Sequence, residues 1–147
     1  MSGAPRLRPL RAGDLPALAV LGSRAADELE RGAAVDVLVA VVEGRVVGVG
    51  AVDHVARPGA GVLFLLLVDP DHRSRGLGTS LVQALETCAH GRGAGVTEIE
   101  VDAGNDRALA LYERLGYRRV GVVGPDGSGD RRRVLRRTPA RAAVPPG

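Results

Sequence analysis

The segment Val68-Asp69-Pro70-Asp71-His72-Arg73-Ser74-Arg75-Gly76-Leu77-Gly78-Thr79 concentrates the residue types that hold an anion. An apolar run enters it, Asp69-Pro70 turns the chain, and two arginines and two glycines then open a stretch of helical periodicity. The first turn of a helix carries N–H groups with no partner inside the helix, and its dipole favours negative charge. Glycine at 76 and 78 removes the Cβ that would keep an anion off the backbone, and Arg73 and Arg75 add charge-assisted donors. This pattern can hold a phosphate or pyrophosphate. The plainer alternative is a glycine-rich helix start flanked by solvated arginines, and on this segment alone the two stand level. Gly76-x-Gly78 also begins the dinucleotide pattern G-x-G-x-x-G. Leu81 replaces its third glycine, however, and the preceding strand comes from a meander instead of opening a βαβ unit.

The elements that position this segment follow from the pattern of the chain. Leu7 to Arg11 reads as a first strand, and Asp14 as the N-cap of a helix carrying Leu15, Leu18 and Leu21 on one face. Ser23 to Arg31 is polar and fits a second short helix. Val35–Val42 and Arg45–Val52 are β-rich runs joined at Glu43-Gly44, a hairpin signal. Pro58-Gly59 turns into Val62–Val68, whose unbroken apolar character predicts a central strand covered on both faces. Leu77, Leu81, Leu85 and Cys88 recur at helical spacing up to about Ala89, which makes Cys88 a small core residue, and Gly91, Gly93 and Gly95 close that helix. Thr97–Val101 is a strand, Asp106–Leu115 a helix stopped by Gly116, and Tyr117–Val123 and Arg131–Arg136 two more strands around a glycine-rich loop. The order β-α-(α)-ββ-β-α-β-α-ββ is that of an α/β mixed sheet about one core. A single domain spans residues 1–137, followed by a proline-containing tail, 138–147, expected to be disordered.

Composition excludes several functions. All 20 basic residues are arginine, so a Walker A phosphate loop, which needs lysine, is absent. Phe64, Tyr112 and Tyr117 are the only aromatics, too few for a stacking platform on single-stranded nucleic acid. One cysteine permits no intrachain disulfide, and Cys88 with His54, His72 and His90 lacks the spacing of a zinc site, so no metal is expected. The longest apolar run falls far short of the ~20 residues that span a bilayer. Charges near the N-terminus interrupt any signal-peptide core, and a cytoplasmic protein is the expectation. Arg131-Arg132-Arg133-Val134-Leu135-Arg136-Arg137 accounts for much of the net charge of +3. It reads as a solvated strand with Val134 or Leu135 turned inward, and a basic nucleic-acid module on this strand is the competing reading.

Two blocks, in order and separated by a strand, resemble the GCN5-related N-acetyltransferase (GNAT) superfamily. Val68-Asp69-Pro70 followed by Arg73-Ser74-Arg75-Gly76-Leu77-Gly78 is similar to its acetyl-CoA loop, R/Q-x-x-G-x-G/A after a strand ending V-x-P. Asn105-Asp106-Arg107-Ala108-Leu109-Ala110-Leu111-Tyr112-Glu113-Arg114-Leu115-Gly116-Tyr117 is similar to N-x-x-A-x-x-L-Y-E-x-x-G-F, with Tyr117 in place of the final Phe. The opening Leu7-Arg8-x-Leu10-Arg11-x-x-Asp14-Leu15 fits as well, so the resemblance covers about residues 6 to 137.

The resemblance implies the acyl-CoA N-acyltransferase fold, a mixed and mostly antiparallel sheet of six or seven strands with about four helices. It implies transfer of the acetyl group of acetyl-CoA to a primary amine, on a small molecule or a protein or peptide N-terminus, by direct attack in a ternary complex. The runner-up is a non-catalytic acyl-CoA binding or sensing domain of the same fold. By resemblance, the backbone of Arg73, Ser74, Arg75, Gly76, Leu77 and Gly78, with Thr79, holds the pyrophosphate. Leu67 and Val68 pair with the pantetheine arm, Asn105 bonds it or its neighbouring backbone, and Tyr112 sits near the sulfur as general acid. Glu100 is the base, as in family members that acetylate protein N-termini. A thiolate needs a proton and an attacking amine must lose one, which gives Tyr112 and Glu100 their tasks. Each also has a plainer role: Tyr112 as a core tyrosine beside Ala108, Leu111 and Leu115, Asn105 as an N-cap, and Glu100 as a polar-face residue between Glu98 and Asp102. A water relay, Asp53 or His54 are alternative bases. By family topology Ser23–Arg31 and Gly121–Asp130 wall the acceptor pocket, where Asp27, Glu28, Glu30, Asp126 and Asp130 suit a cationic amine. A homodimer is compatible with the fold; nucleic-acid and membrane partners are not expected.

Overall fold

A computed structural model of the chain describes residues 4–21, 34–73, 75–102, 104–123 and 132–138. The elements follow in the order β1 (Arg6–Pro9), α1 (Leu15–Leu21), β2 (Val35–Val42), β3 (Arg45–Arg57), β4 (Ala60–Val68), α2 (Leu77–Gly91), β5 (Val96–Asp102), α3 (Asp106–Arg114), β6 (Arg118–Val123) and β7 (Arg132–Arg137). The strands form one seven-stranded sheet, ordered β1-β2-β3-β4-β5-β7-β6. Only β4 and β5 run parallel, and α2 is the crossover that a parallel pair requires. The mixed, mostly antiparallel sheet expected from the sequence is thus present, with three helices among the described residues. The expected helix over 23–31 and the tail beyond 138 lie outside them.

Alternation along β2 shows why the sheet is covered on both faces. Val37, Val39 and Val41 pack with Leu18 of α1, whereas Leu38, Ala40 and Val42 pack with Leu77 and Leu81 of α2. The main cluster lies further along the α2 face, where Val82, Leu85 and Ala89 meet Ile99, Val101, Leu109, Tyr112, Tyr117 and Leu135. The β2–β3 hairpin turns through Glu43 (φ 50°) and Gly44 (φ 78°), two successive left-handed residues that match the strand twist.

Four local expectations need correction. Asp14 immediately precedes α1, the position expected of its N-cap, but its carboxylate turns back to Arg8 and Arg11. It closes a 3-10 turn, Ala12–Asp14, where its carboxylate accepts Arg11 N–H (2.8 Å) and two guanidinium bonds from Arg8 (2.7 and 2.9 Å). β3 runs beyond Val52 to Arg57, since ladder pairing tolerates the polar residues at which an apolar run ends. Cys88 is half-buried at the margin of the main cluster, where burial raises its thiol pKa. Val134 and Leu135 are both buried, where only one was expected to turn inward, because β7 lies inside the sheet between β5 and β6.

β4 carries the feature that opens the molecule. Ala51 and Val52 of β3 stand opposite Leu65 and Leu63, so Phe64 is an extra residue, a β-bulge. The bulge switches faces: Leu63 and Leu66, three apart, both pack on the α2 side. β4 pairs with β5 from Ala60↔Val96 to Leu63↔Ile99 and no further. Past the bulge β4 keeps β3 on one side and parts from β5 on the other.

Candidate active site

The parting of β4 and β5 leaves a cleft bordered by the start of α2 and by α3. Its wider lobe, about 830 Å³, lies against Val68, His72, Arg73, Gly76, Gly78 and α3. Its narrower lobe, about 250 Å³, lies between Phe64–Leu67 of β4 and Ile99–Asp102 of β5. Asn105 and Tyr112 border both lobes.

The wider lobe is shaped by a sequence of local devices. Asp69 N–H is held by Val47 O (2.8 Å), and the Asp69 side chain accepts Asp71 N–H (3.0 Å), capping the turn Pro70–His72. Arg73 returns its Nε–H to Val68 O (3.3 Å). Gly76 then caps α2 in a left-handed conformation, φ 79°, that only glycine adopts without cost. The N–H groups of Leu77, Gly78 and Thr79 have no acceptor within the helix, while Ser80 N–H closes the first turn on Gly76 O (3.0 Å). The glycine-capped helix start expected from the sequence is thus present, although Ser74 lies outside the described residues. His72 borders the lobe with its Nδ1 buried and lacking a hydrogen bond, 3.7 Å from Asp69 Oδ2. Among the described residues that line this lobe, Arg73, Arg107 and Arg114 bring positive charge and none is an Asp or Glu.

Asn105 caps α3, its Oδ1 accepting Ala108 N–H (3.2 Å), and its amide donors make no further bond with a described residue. The cap and a ligand contact can thus coexist. Tyr112 is 7% exposed and packs edge-to-face on Tyr117, with ring centroids 6.0 Å apart. Burial pushes its pKa up to about 12. Its hydroxyl has no partner among the described residues. Tyr117 is the opposite case: its hydroxyl donates to Glu86 Oε2 (2.8 Å) and is bonded to Thr97 Oγ1 (2.9 Å). Glu86 in turn accepts two bonds from Arg137 Nη1 (2.7 and 2.8 Å). This buried network gives the Tyr at the end of the second block a use that Phe could not have, and raises its pKa, chiefly through burial.

Glu100 borders the narrower lobe with Asp102, and no cation of the described residues lines that lobe. By strand alternation it projects on the face opposite Ile99 and Val101, away from the main core. Its Oε1 accepts Arg57 Nη2 (2.9 Å), while Arg57 Nη1 bonds Glu98, which also accepts Arg136 Nη2 (3.1 Å). The alternative bases fall elsewhere. Asp53 accepts Val55 and Ala56 N–H (2.9 and 3.0 Å), and His54 Nε2 meets Asp36 (2.7 Å), both at the far end of β3 and outside either lobe. The segments 23–31 and 124–130, with the acids expected to wall the acceptor pocket, lie outside the described residues. Sequence reasoning passed over Arg114, His72 and the bulge at Phe64. Arg107, Leu111 and Arg114 share a helical stripe, but only docking shows that this stripe faces the cleft.

The seven-stranded mixed sheet is that of the acyl-CoA N-acyltransferase fold, and the chain belongs to the Acetyltransferase (GNAT) family, whose pattern matches residues 10–117. It is similar to the [ribosomal protein bS18]-alanine N-acetyltransferase of Escherichia coli K12, 44% identical over 55 residues, a match that spans 37% of this chain and 37% of that enzyme. The crystal structure of the E. coli ribosomal-protein-S18-alanine N-acetyltransferase superposes with a TM-score of 0.75 at 23% identity, covering 92% of this chain and 94% of that one. An aminoglycoside 6'-N-acetyltransferase complexed with coenzyme A has a TM-score of 0.73 at 20% identity, over 90% and 96% of the two chains. No helix among the described residues is long and apolar enough to cross a membrane. None of their His, Cys, Asp and Glu residues form a group able to hold a metal.

Proposed function

We propose that the chain is an acetyl-CoA-dependent N-acetyltransferase that acetylates a primary amine by direct attack. The observation that carries this reading is the position of Tyr112 at the junction of a lobe lined by Arg73, Arg107 and Arg114 and a lobe bordered by Glu100 and Asp102. The cationic lobe fits the anionic cosubstrate: free N–H groups of α2 and the bare backbone at Gly76 and Gly78 accept a pyrophosphate, with Arg73 beside them. β4 beyond the bulge, at Leu66–Val68, offers its open edge to the extended pantetheine arm, and Asn105 supplies amide donors next to it.

The acid-lined lobe suits the amine. Glu100 draws in the ammonium form and accepts its proton, directly or through water, since only the neutral amine attacks a thioester. A backbone N–H of β4 past the bulge meets the oxygen that becomes negative as the C–N bond forms. Tyr112 gives its proton to the sulfur as the C–S bond breaks. A hydroxyl held at about 12 by burial stays protonated at neutral pH, so the proton is present when the C–S bond breaks. Among acceptors, a peptide α-amine is the first to test, because 55 residues of this chain are 44% identical to an enzyme named for an alanine of a ribosomal protein.

The test is a thiol-release assay with acetyl-CoA against N-terminal peptides, polyamines and aminoglycosides. Turnover with at least one amine is expected, with peptides beginning in alanine the strongest. Tight acetyl-CoA binding without release of thiol on any amine would overturn the enzymatic reading in favour of a sensing domain.

A further inference from the structure

We infer that Arg107 and Arg114 of α3 form a second anion subsite, distinct from the α2 cradle, that takes the 3'-phosphate of the CoA ribose and makes the protein select CoA over its 3'-dephospho form. The inference rests on the acetyl-CoA reading and deepens it. CoA carries a pyrophosphate and, apart from it, a phosphomonoester. The cradle at Gly76–Thr79 accounts for the first and leaves the second without a site.

Two observations assign that site to α3. The first is charge. Arg8, Arg57, Arg92, Arg119, Arg136 and Arg137 each pair with a carboxylate. Arg107 and Arg114 line the wider lobe and pair with no described residue, even though Glu113 stands beside Arg114, because Glu113 is taken by Arg119 (2.9 Å). The second is placement. A Cβ built on Gly78 would lie 3.7 Å from Leu111 Cδ2, so the first turn of α2 meets α3 at Leu111. Arg107 lies four residues before that contact and Arg114 three after it, roughly 6 and 4.5 Å along the helix axis, on the same stripe. Arg107 and Arg114 therefore stand on the helix about one turn to either side of that contact, and both side chains line the wider lobe. A phosphomonoester near neutral pH is close to a dianion with three acceptor oxygens, and two planar guanidinium forks match it better than a diester, which has one charge to share.

The measurement is calorimetric binding of CoA and of 3'-dephospho-CoA to the full chain, with no turnover required. The parent is expected to bind CoA at least about tenfold more tightly than 3'-dephospho-CoA. In Arg107→Gln/Arg114→Gln that ratio falls below about twofold, the loss appearing in the affinity for CoA and not in that for the dephospho form. Arg118→Gln, in β6 and outside the lining of either lobe, keeps the parent ratio. Should the double variant fail to fold by circular dichroism, each single variant is read in its place and gives an intermediate ratio. Equal affinities in the parent, or a ratio that survives loss of both arginines, would overturn the inference while leaving the acetyl-CoA reading intact. If the parent binds neither ligand, that underlying reading fails, and the subsite with it.

Discussion

Tyr112 and Tyr117 are five residues apart, share one edge-to-face contact, and are buried to similar degrees, yet their hydroxyls have opposite fates. Tyr117 is tied to Glu86 and Thr97; Tyr112 is left to the cleft. Removing the Tyr112 hydroxyl should therefore cost chemistry and little stability. Tyr112→Phe is expected to lower kcat at saturating acetyl-CoA by at least about tenfold, with an unchanged melting temperature. A kcat within twofold of the parent would remove the hydroxyl from the mechanism. Asp14 makes a different prediction at the same scale. Its carboxyl is held at about 2 by the Arg8 guanidinium and then by Arg11 N–H, below its ordinary value near 4. A depressed folded-state pKa contributes stability above the unfolded value, and that contribution is lost as pH falls through the folded one. Urea titrations between about pH 4 and pH 2 should show Asp14→Asn losing less stability on acidification than the parent does.

At the scale of elements, α2 docks on the sheet partly over glycines, between the side chains of Val52, Leu63 and Ala40. A Cβ at Gly50 would lie 2.8 Å from Leu85 Cδ1, and one at Gly61 only 2.5 Å from Ala89 Cβ and 3.2 Å from Val52 Cγ2. Bare backbone in β3 and β4 lets the helix sit close, and that closeness sets where its N-terminal cradle meets the end of β4. Gly61→Ala should destabilise by about 1–3 kcal/mol through overpacking, because the opposing atoms belong to short side chains with no room to turn. Gly13→Ala, with nothing within 4 Å, should stay within about 0.5 kcal/mol. Chemical denaturation of the two variants side by side distinguishes a helix seated on glycine from a general intolerance of substitution.

For the molecule as a whole, the parting of β4 and β5 must be offset by something that ties the two halves together. Much of that tie is the Glu86 network, which joins α2 to β5 through Tyr117 and Thr97 and to β7 through Arg137. Glu86 is 5% exposed. Glu86→Ala strands the Arg137 cation and the Tyr117 hydroxyl together and is expected to cost about 3 kcal/mol, read as a lower urea midpoint at unchanged slope. A loss below about 1 kcal/mol would show that the hydrophobic cluster alone holds the halves together.

Most of the element order was legible because it is written in local periodicity and turn chemistry: Glu43-Gly44, Pro58-Gly59 and Gly116 sit where the chain turns or a helix stops. The glycine-capped start of α2 was legible for the same reason, since it is a local object. So was the pairing of Asn105 with Tyr112, seven residues apart on one cap and one helical stripe. Tertiary structure alone decided the rest. The bulge at Phe64 exists only as a register between two strands. The engagement of Glu100 by Arg57 joins residues 43 positions apart. The turning of Arg107 and Arg114 toward the cleft depends on how α3 is docked. Sequence determines what each segment can form by itself; which charged groups meet, and which are left facing a ligand, depends on packing between distant segments.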